Sequence, residues 1–132
     1  MKFQTPTYEE RGFGFRALKT LALADGELHA TELEIIRGGQ WLFDDDHDIE
    51  TLEPIKPSEL AAWLRDPAKR QQFLAAMVML TMADGDVNQA ETDCLRAFAE
   101  ALEVDGAELE TLEHIAKGQF RRARFDTLRR FW

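Results

Sequence analysis

Leu21 to Glu34 reads LALADGELHATELE, and Leu80 to Asp93 reads LTMADGDVNQAETD. Laid over each other at a shift of 59 residues (84 minus 25), they pair Leu21 with Leu80, Ala24 with Ala83, Asp25 with Asp84 and Gly26 with Gly85. The register continues with Leu28 over Val87, Glu32 over Glu91, Ile36 over Leu95 and Arg37 over Arg96. Each copy spells a corner between two helices. One helix ends near the aspartate, the glycine supplies the positive φ of a sharp turn, and the next apolar residue packs back into the core. A new helix then starts around His29 or Ala30 in the first copy, and after Asn88 in the second. Two such units in one chain imply a two-fold arrangement of helix-turn-helix elements, too few for a solenoid.

Outward from the corners the pattern stays helical. Phe15, Leu18, Leu21 and Ala22 form a stripe at helical spacing within Phe13 to Asp25. Leu33, Ile35 and Ile36 carry the next helix, which should weaken at Gly38-Gly39. FDDDHDIETLEPIKP is acidic and closed by proline, and reads as a solvated loop, with a second cation site or a docking patch for a basic partner as the functional alternative. Pro57-Ser58 opens a short helix through Leu60, Trp63 and Leu64, and Asp66-Pro67 opens a longer one reaching about Asp84. Ala90 to Leu102 places Leu95, Phe98, Ala99 and Leu102 on one face, and VDGAELETLEHI supplies a turn and a further helix. No alternating strand pattern occurs. The expectation is an all-α fold, a compact bundle of about six or seven helices in a single domain over residues 1–132. Within it, repeat 1 covers about 13–42, the acidic loop 43–57, repeat 2 about 67–102, and the C-terminal helices 105–132.

A chain of 132 residues is long enough to bury a core without disulfides or a structural metal. One cysteine, Cys94, has no internal partner, which points to a reducing cytoplasm. MKFQTPTYEE lacks the apolar core of a signal peptide. The longest apolar run, Phe73 to Ala83, is shorter than the roughly 20 residues of a membrane span. A net charge of −9 argues against nucleic acid as a partner. Phe120 to Trp132 nevertheless holds five arginines against Asp126, a local +4, so the remainder carries −13. This tail, with Phe120, Phe125, Leu128, Phe131 and Trp132 among its arginines, reads as an amphipathic helix. Its aromatic side would seal the core while the arginines offset the acidic body; contact with an anionic membrane surface or an acidic partner is the other use of such a helix.

The chemistry lies in the corners, where two readings stand side by side. In one they are folding punctuation. Asn88-Gln-Ala-Glu91 matches a capping box, His29-Ala-Thr-Glu32 is a poorer version, and each cap is worth about 1 kcal/mol. In the other they bind a metal. An aspartate at a helix C-terminus faces the negative end of the dipole, and acids beyond those needed for caps gather in each corner. These are Asp25, Glu27 and Glu32, and Asp84, Asp86 and Glu91. A hard divalent cation such as calcium, magnesium or manganese would collect such oxygens and relieve their repulsion. Asp84-Gly-Asp86-Val-Asn88 begins like a calcium loop, but glycine at the second position and the early glutamate exclude an EF-hand. His29, His47 and His114 make no metal-ligand spacing. Cys94 reads as a small packing residue. No nucleophile–base pair, phosphate-cradling loop or cofactor signature occurs, so the chain reads as a non-enzyme.

The twice-written A-D-G-x-(apolar)-x-x-x-E pattern between amphipathic helices resembles the tellurite-resistance TerB-like family, over about Phe13 to Ile115. The resemblance implies a compact helical domain whose acidic corners bind metal through Asp25, Glu27, Glu32, Asp84, Asp86 and Glu91. It also implies a place in stress-response systems. The expectation is a cytoplasmic TerB-like module that holds a divalent cation and engages a protein partner in a stress-response or scaffolding role. The alternative is a protein-interaction domain whose corners are caps only.

Overall fold

The first helix starts where the chain supplies a cap rather than where its apolar stripe begins. Thr7 Oγ1 accepts the amide of Glu10 at 3.2 Å, and Glu10 Oε1 accepts the amide of Thr7 at 2.9 Å. This reciprocal box satisfies two helix-end donors at once, and the Thr7-Tyr-Glu-Glu10 spacing that encodes it lies ahead of the Phe13 start suggested by periodicity. The computed structural model describes residues 4–82 and 88–115. They form α1 (Tyr8–Ala22), α2 (Ala30–Leu42), α3 (Pro57–Trp63), α4 (Pro67–Thr81), α5 (Gln89–Ala101) and α6 (residues 106–115), with no strand among the described residues. The expected helix over the arginine-rich tail lies outside the described residues.

The 59-residue register governs the helices end for end. Tyr8 and Ala22 fall on Pro67 and Thr81, and Ala30 and Leu42 fall on Gln89 and Ala101. The N-caps Thr7 and Asp66 are equivalent, and each accepts an amide of its own helix. Both second helices also stop in the same way. Asp44 (φ 51°) and Glu103 (φ 58°) are equivalent left-handed residues. The amide of the following residue returns to a helical carbonyl, Asp45 to Gln40 at 2.8 Å and Val104 to Ala99 at 2.9 Å. These are Schellman ends built without glycine. Contrary to expectation, α2 does not weaken at Gly38-Gly39 but continues to Leu42. Each glycine costs about 1 kcal/mol against alanine, and packing of Ile36 and Leu33 in the core outweighs it.

Equivalent positions fill one core. Phe15 and Leu74, Leu21 and Leu80, and Ile36 and Leu95 are all buried. The expected apolar face of α5, Leu95, Phe98, Ala99 and Leu102, is buried throughout. α1 packs on α4, and α3 bridges α1 and α5. A repeated arginine ties the units together. Arg70 donates to the carbonyls of Leu64, Ala61 and Leu102, closing the ends of α3 and α5. Its equivalent, Arg11, donates to the Pro6 carbonyl and to Asp45 Oδ2, 3.0 Å away.

The segment 43–56 is not the solvated loop its composition suggests. Asp45 is fully buried at its side chain and accepts from Arg11, from Gln40, and from the amide and ring of His47. Lys19 Nζ donates to the carbonyls of Ile49, Glu50 and Leu52 at 2.6, 3.1 and 2.8 Å. Arg16 takes those of Glu53 and Pro54, and Thr20 Oγ1 accepts the amide of Ile55. The segment is a strap fastened along α1 by its backbone, which leaves Asp44, Asp46, Asp48, Glu50 and Glu53 exposed.

Candidate metal centre at the joined corners

Between α1 and α2 the chain turns through Leu23 to His29. Gly26 takes φ +95°, the conformation its sequence position calls for, and its amide returns to the Leu23 carbonyl at 2.8 Å. Leu28 packs against the core. Asp25, just past the negative end of α1, finds its compensation locally. Its Oδ1 accepts the amide of Glu27 at 3.0 Å, and its Oδ2 lies 2.9 Å from His29 Nε2. The His29 contact, then the Glu27 amide, hold the Asp25 carboxyl below the usual carboxylate range, and the same contact raises the His29 imidazole. His29 therefore spends its ring on Asp25, although its position is that of an N-cap.

The start of α5 meets the first corner. Asn88 Nδ2 donates to Asp25 Oδ2 at 3.3 Å, across 63 residues of chain. Asn88 also caps α5, its Oδ1 accepting the amides of Ala90 and Glu91 at 2.8 and 3.2 Å. One residue thus serves as cap and as bridge. Sequence reasoning recognised the cap; the bridge carries no local signal, because it depends on how the repeats pack.

Beneath this bridge lie the two repeat glutamates. Glu32 and Glu91 occupy the third position of α2 and α5 and point inward, 2% and 4% exposed. Taken over the whole residue, they are the least exposed charged residues among the described residues. Glu32 Oε1 accepts the His29 amide at a long 3.4 Å, the return half of a capping box. Its Oε2 is buried without a hydrogen-bond donor. The Glu91 side chain lies close enough to that of Glu32 to lower its carboxyl. Burial raises the Glu32 carboxyl, and the contacts to Glu91 and His29 only partly offset this. Both glutamates lie at helix N-termini, whose positive ends favour carboxylates. Two carboxyls brought close together repel, and a cation between them would relieve that repulsion.

Of the six residues expected to bind metal, Glu32 and Glu91 neighbour each other, and Asp25 is joined to Asn88 at the start of α5. Glu27 is exposed and contributes its amide to the turn. Asp84 and Asp86 lie outside the described residues. Among the described residues no group of three His, Cys, Asp or Glu side chains is gathered closely enough to hold a metal ion. Two buried carboxyls supply part of a hard-cation shell of six or more oxygens, and the orphaned Glu32 Oε2 is the atom that fits one. The acidic strap offers no second centre, since Asp45 is consumed by Arg11, Gln40 and His47. Cys94 is half-buried, and burial followed by the Glu91 charge raises its thiol, consistent with a packing role.

No curated protein and no solved structure matches the chain. A family model does, over residues 57–114, which run from the start of α3 into α6 and take in the second corner with Asn88 and Glu91. Its description is tellurite resistance protein TerB, and over these residues the chain, all-helical where it is described, is similar to that family.

Proposed function

We propose that the joined corners form one site for a hard divalent cation, calcium, magnesium or manganese, within a TerB-like helical module. The observation that carries this reading is the Glu32–Glu91 pair, two buried carboxyls from equivalent positions with Glu32 Oε2 lacking a donor. Asp25 lies at the same junction through Asn88. The register adds Asp84, Asp86 and Glu27 from sequence alone. A cation here would relieve the carboxyl repulsion and pin the two repeats together, so its uptake would be felt as stability. The reading assigns no catalysis; it makes the domain a cytoplasmic binding or scaffolding part of a stress-response system, working with a protein partner. No described helix is long and apolar enough to cross a membrane, and the peripheral contact considered for the basic tail lies outside the described residues.

A second reading also has specific support. Glu32 accepts the His29 amide, Asn88 caps α5 and Asp25 serves its own turn, so the corners do act as caps, and the domain would then be a protein-interaction module only. Thermal unfolding with and without each cation separates the two. The metal reading expects stabilisation that disappears in Glu32→Gln, which keeps the Oε1 acceptor and the side-chain shape. The capping reading expects no effect of cation on either protein.

A further inference from the structure

A groove beside α1 is built from two aromatic pairs and is independent of the metal reading. Tyr8 stacks on His47 with centroids 4.1 Å apart at 20°, and Phe13 stacks on Trp63 at 5.1 Å and 14°. Gly12 lies between them, and a Cβ there would come within 2.8 Å of His47 Nε2, so the absence of a side chain lets the strap lie close. Leu52 completes the lining. Tyr8 and Trp63 remain 52% and 64% exposed, an unusual amount of aromatic surface gathered at one place.

The strap lines the groove with His47 and Leu52, α1 adds Glu9, and Asp46 lies beside Tyr8. Residues 44–53 contain six carboxylates and no lysine or arginine, and all but Asp45 are exposed. Arg16, the one arginine or lysine among the described lining residues, is committed to the carbonyls of Glu53 and Pro54 and lies over Phe13. The occupant this surface suits carries guanidinium groups for the carboxylates and aromatic faces, and aromatic side chains for the groove. The chain writes that composition once, in QFRRARFDTLRRFW, residues 119–132. Seventeen residues follow Ile115, enough to span about 55 Å extended, against a radius of gyration of about 14 Å for a domain of this length.

We propose that the Tyr8–His47/Phe13–Trp63 groove is the docking site of the chain's own basic segment 119–132. Limited trypsin digestion of the full chain tests it, because the segment offers cleavage after Arg121, Arg122, Arg124, Arg129 and Arg130. If docking holds the segment nine-tenths of the time, cleavage there is slowed about tenfold. The Tyr8→Ala/Trp63→Ala variant, and separately Asp46→Lys/Glu53→Lys, should remove that protection while the thermal midpoint stays close to that of the parent. Equal cleavage rates in parent and variants overturn the proposal. Protection that falls on dilution also overturns it, by assigning the groove to a second copy's segment. Nuclear Overhauser contacts between the Trp63 ring and the aromatic rings of 120–132 in the unmutated chain give a check free of any variant. Their presence supports docking and their absence contradicts it.

Discussion

At the scale of single residues, equivalent positions show the same physical solution reached with different chemistry. Asp44 and Glu103 both hold the left-handed conformation in which a Cβ is crowded. Glycine at either position should therefore stabilise the fold, by about 0.5–1 kcal/mol, as read from urea unfolding. Gly26 is the converse, and Gly26→Ala at φ +95° should cost about 1–2 kcal/mol. Its role was legible from Asp-Gly between two helical patterns; those of Asp44 and Glu103 were not, because nothing in a carboxylate side chain announces a positive φ. Asp45 offers a pH test. Burial alone would raise its carboxyl, but the His47 amide, Arg11, the His47 ring and Gln40 together hold it below the usual range. A depressed folded-state pKa contributes stability that is present above the unfolded value of about 3.9 and lost as pH falls through the folded one. Asp45→Asn should thus cost about 2–3 kcal/mol at pH 7. The gap to the parent should narrow below about pH 4; a gap independent of pH would contradict this role.

Among the elements, the strap and its anchoring helix were the hardest to read and the corners the easiest. Apolar periodicity and the Asp-Gly steps marked the four repeated helices, because those signals are local. The fastening of 43–56 was hidden because its partners are backbone carbonyls, which leave no trace in side-chain composition. Lys19 takes three of them and Arg16 two. Lys19→Met, which keeps the stem and removes the donors, should destabilise the domain by about 1–3 kcal/mol. It should also raise amide exchange in residues 49–56 more than in α5. Uniform exchange across both would show that the strap does not rely on this anchor. The Thr7-Tyr-Glu-Glu10 spacing encodes the start of α1 ahead of its apolar stripe, because a helix begins at its cap and not at its core face.

The described helices write one unit twice, with the second copy packed so that the start of α5 meets the first corner. The register revealed that Glu32 and Glu91 are equivalent. Only the packing places them together and leaves Glu32 Oε2 buried without a donor. A pattern of spacing describes each corner but not the distance between them, so whether there was one site or two could not be read from it. The central claim is that the junction of the repeats holds one hard cation through this pair. Calorimetric titration of the full chain with calcium, magnesium and manganese, paired with thermal unfolding, tests it directly. One cation per chain should bind for at least one of the three metals. At a hundredfold excess over Kd the stabilisation is about 2.7 kcal/mol, a rise in Tm on the order of 10 °C, lost in both Glu32→Gln and Glu91→Gln. Absence of binding to any of the three, or binding that survives both substitutions in folded protein, would contradict it.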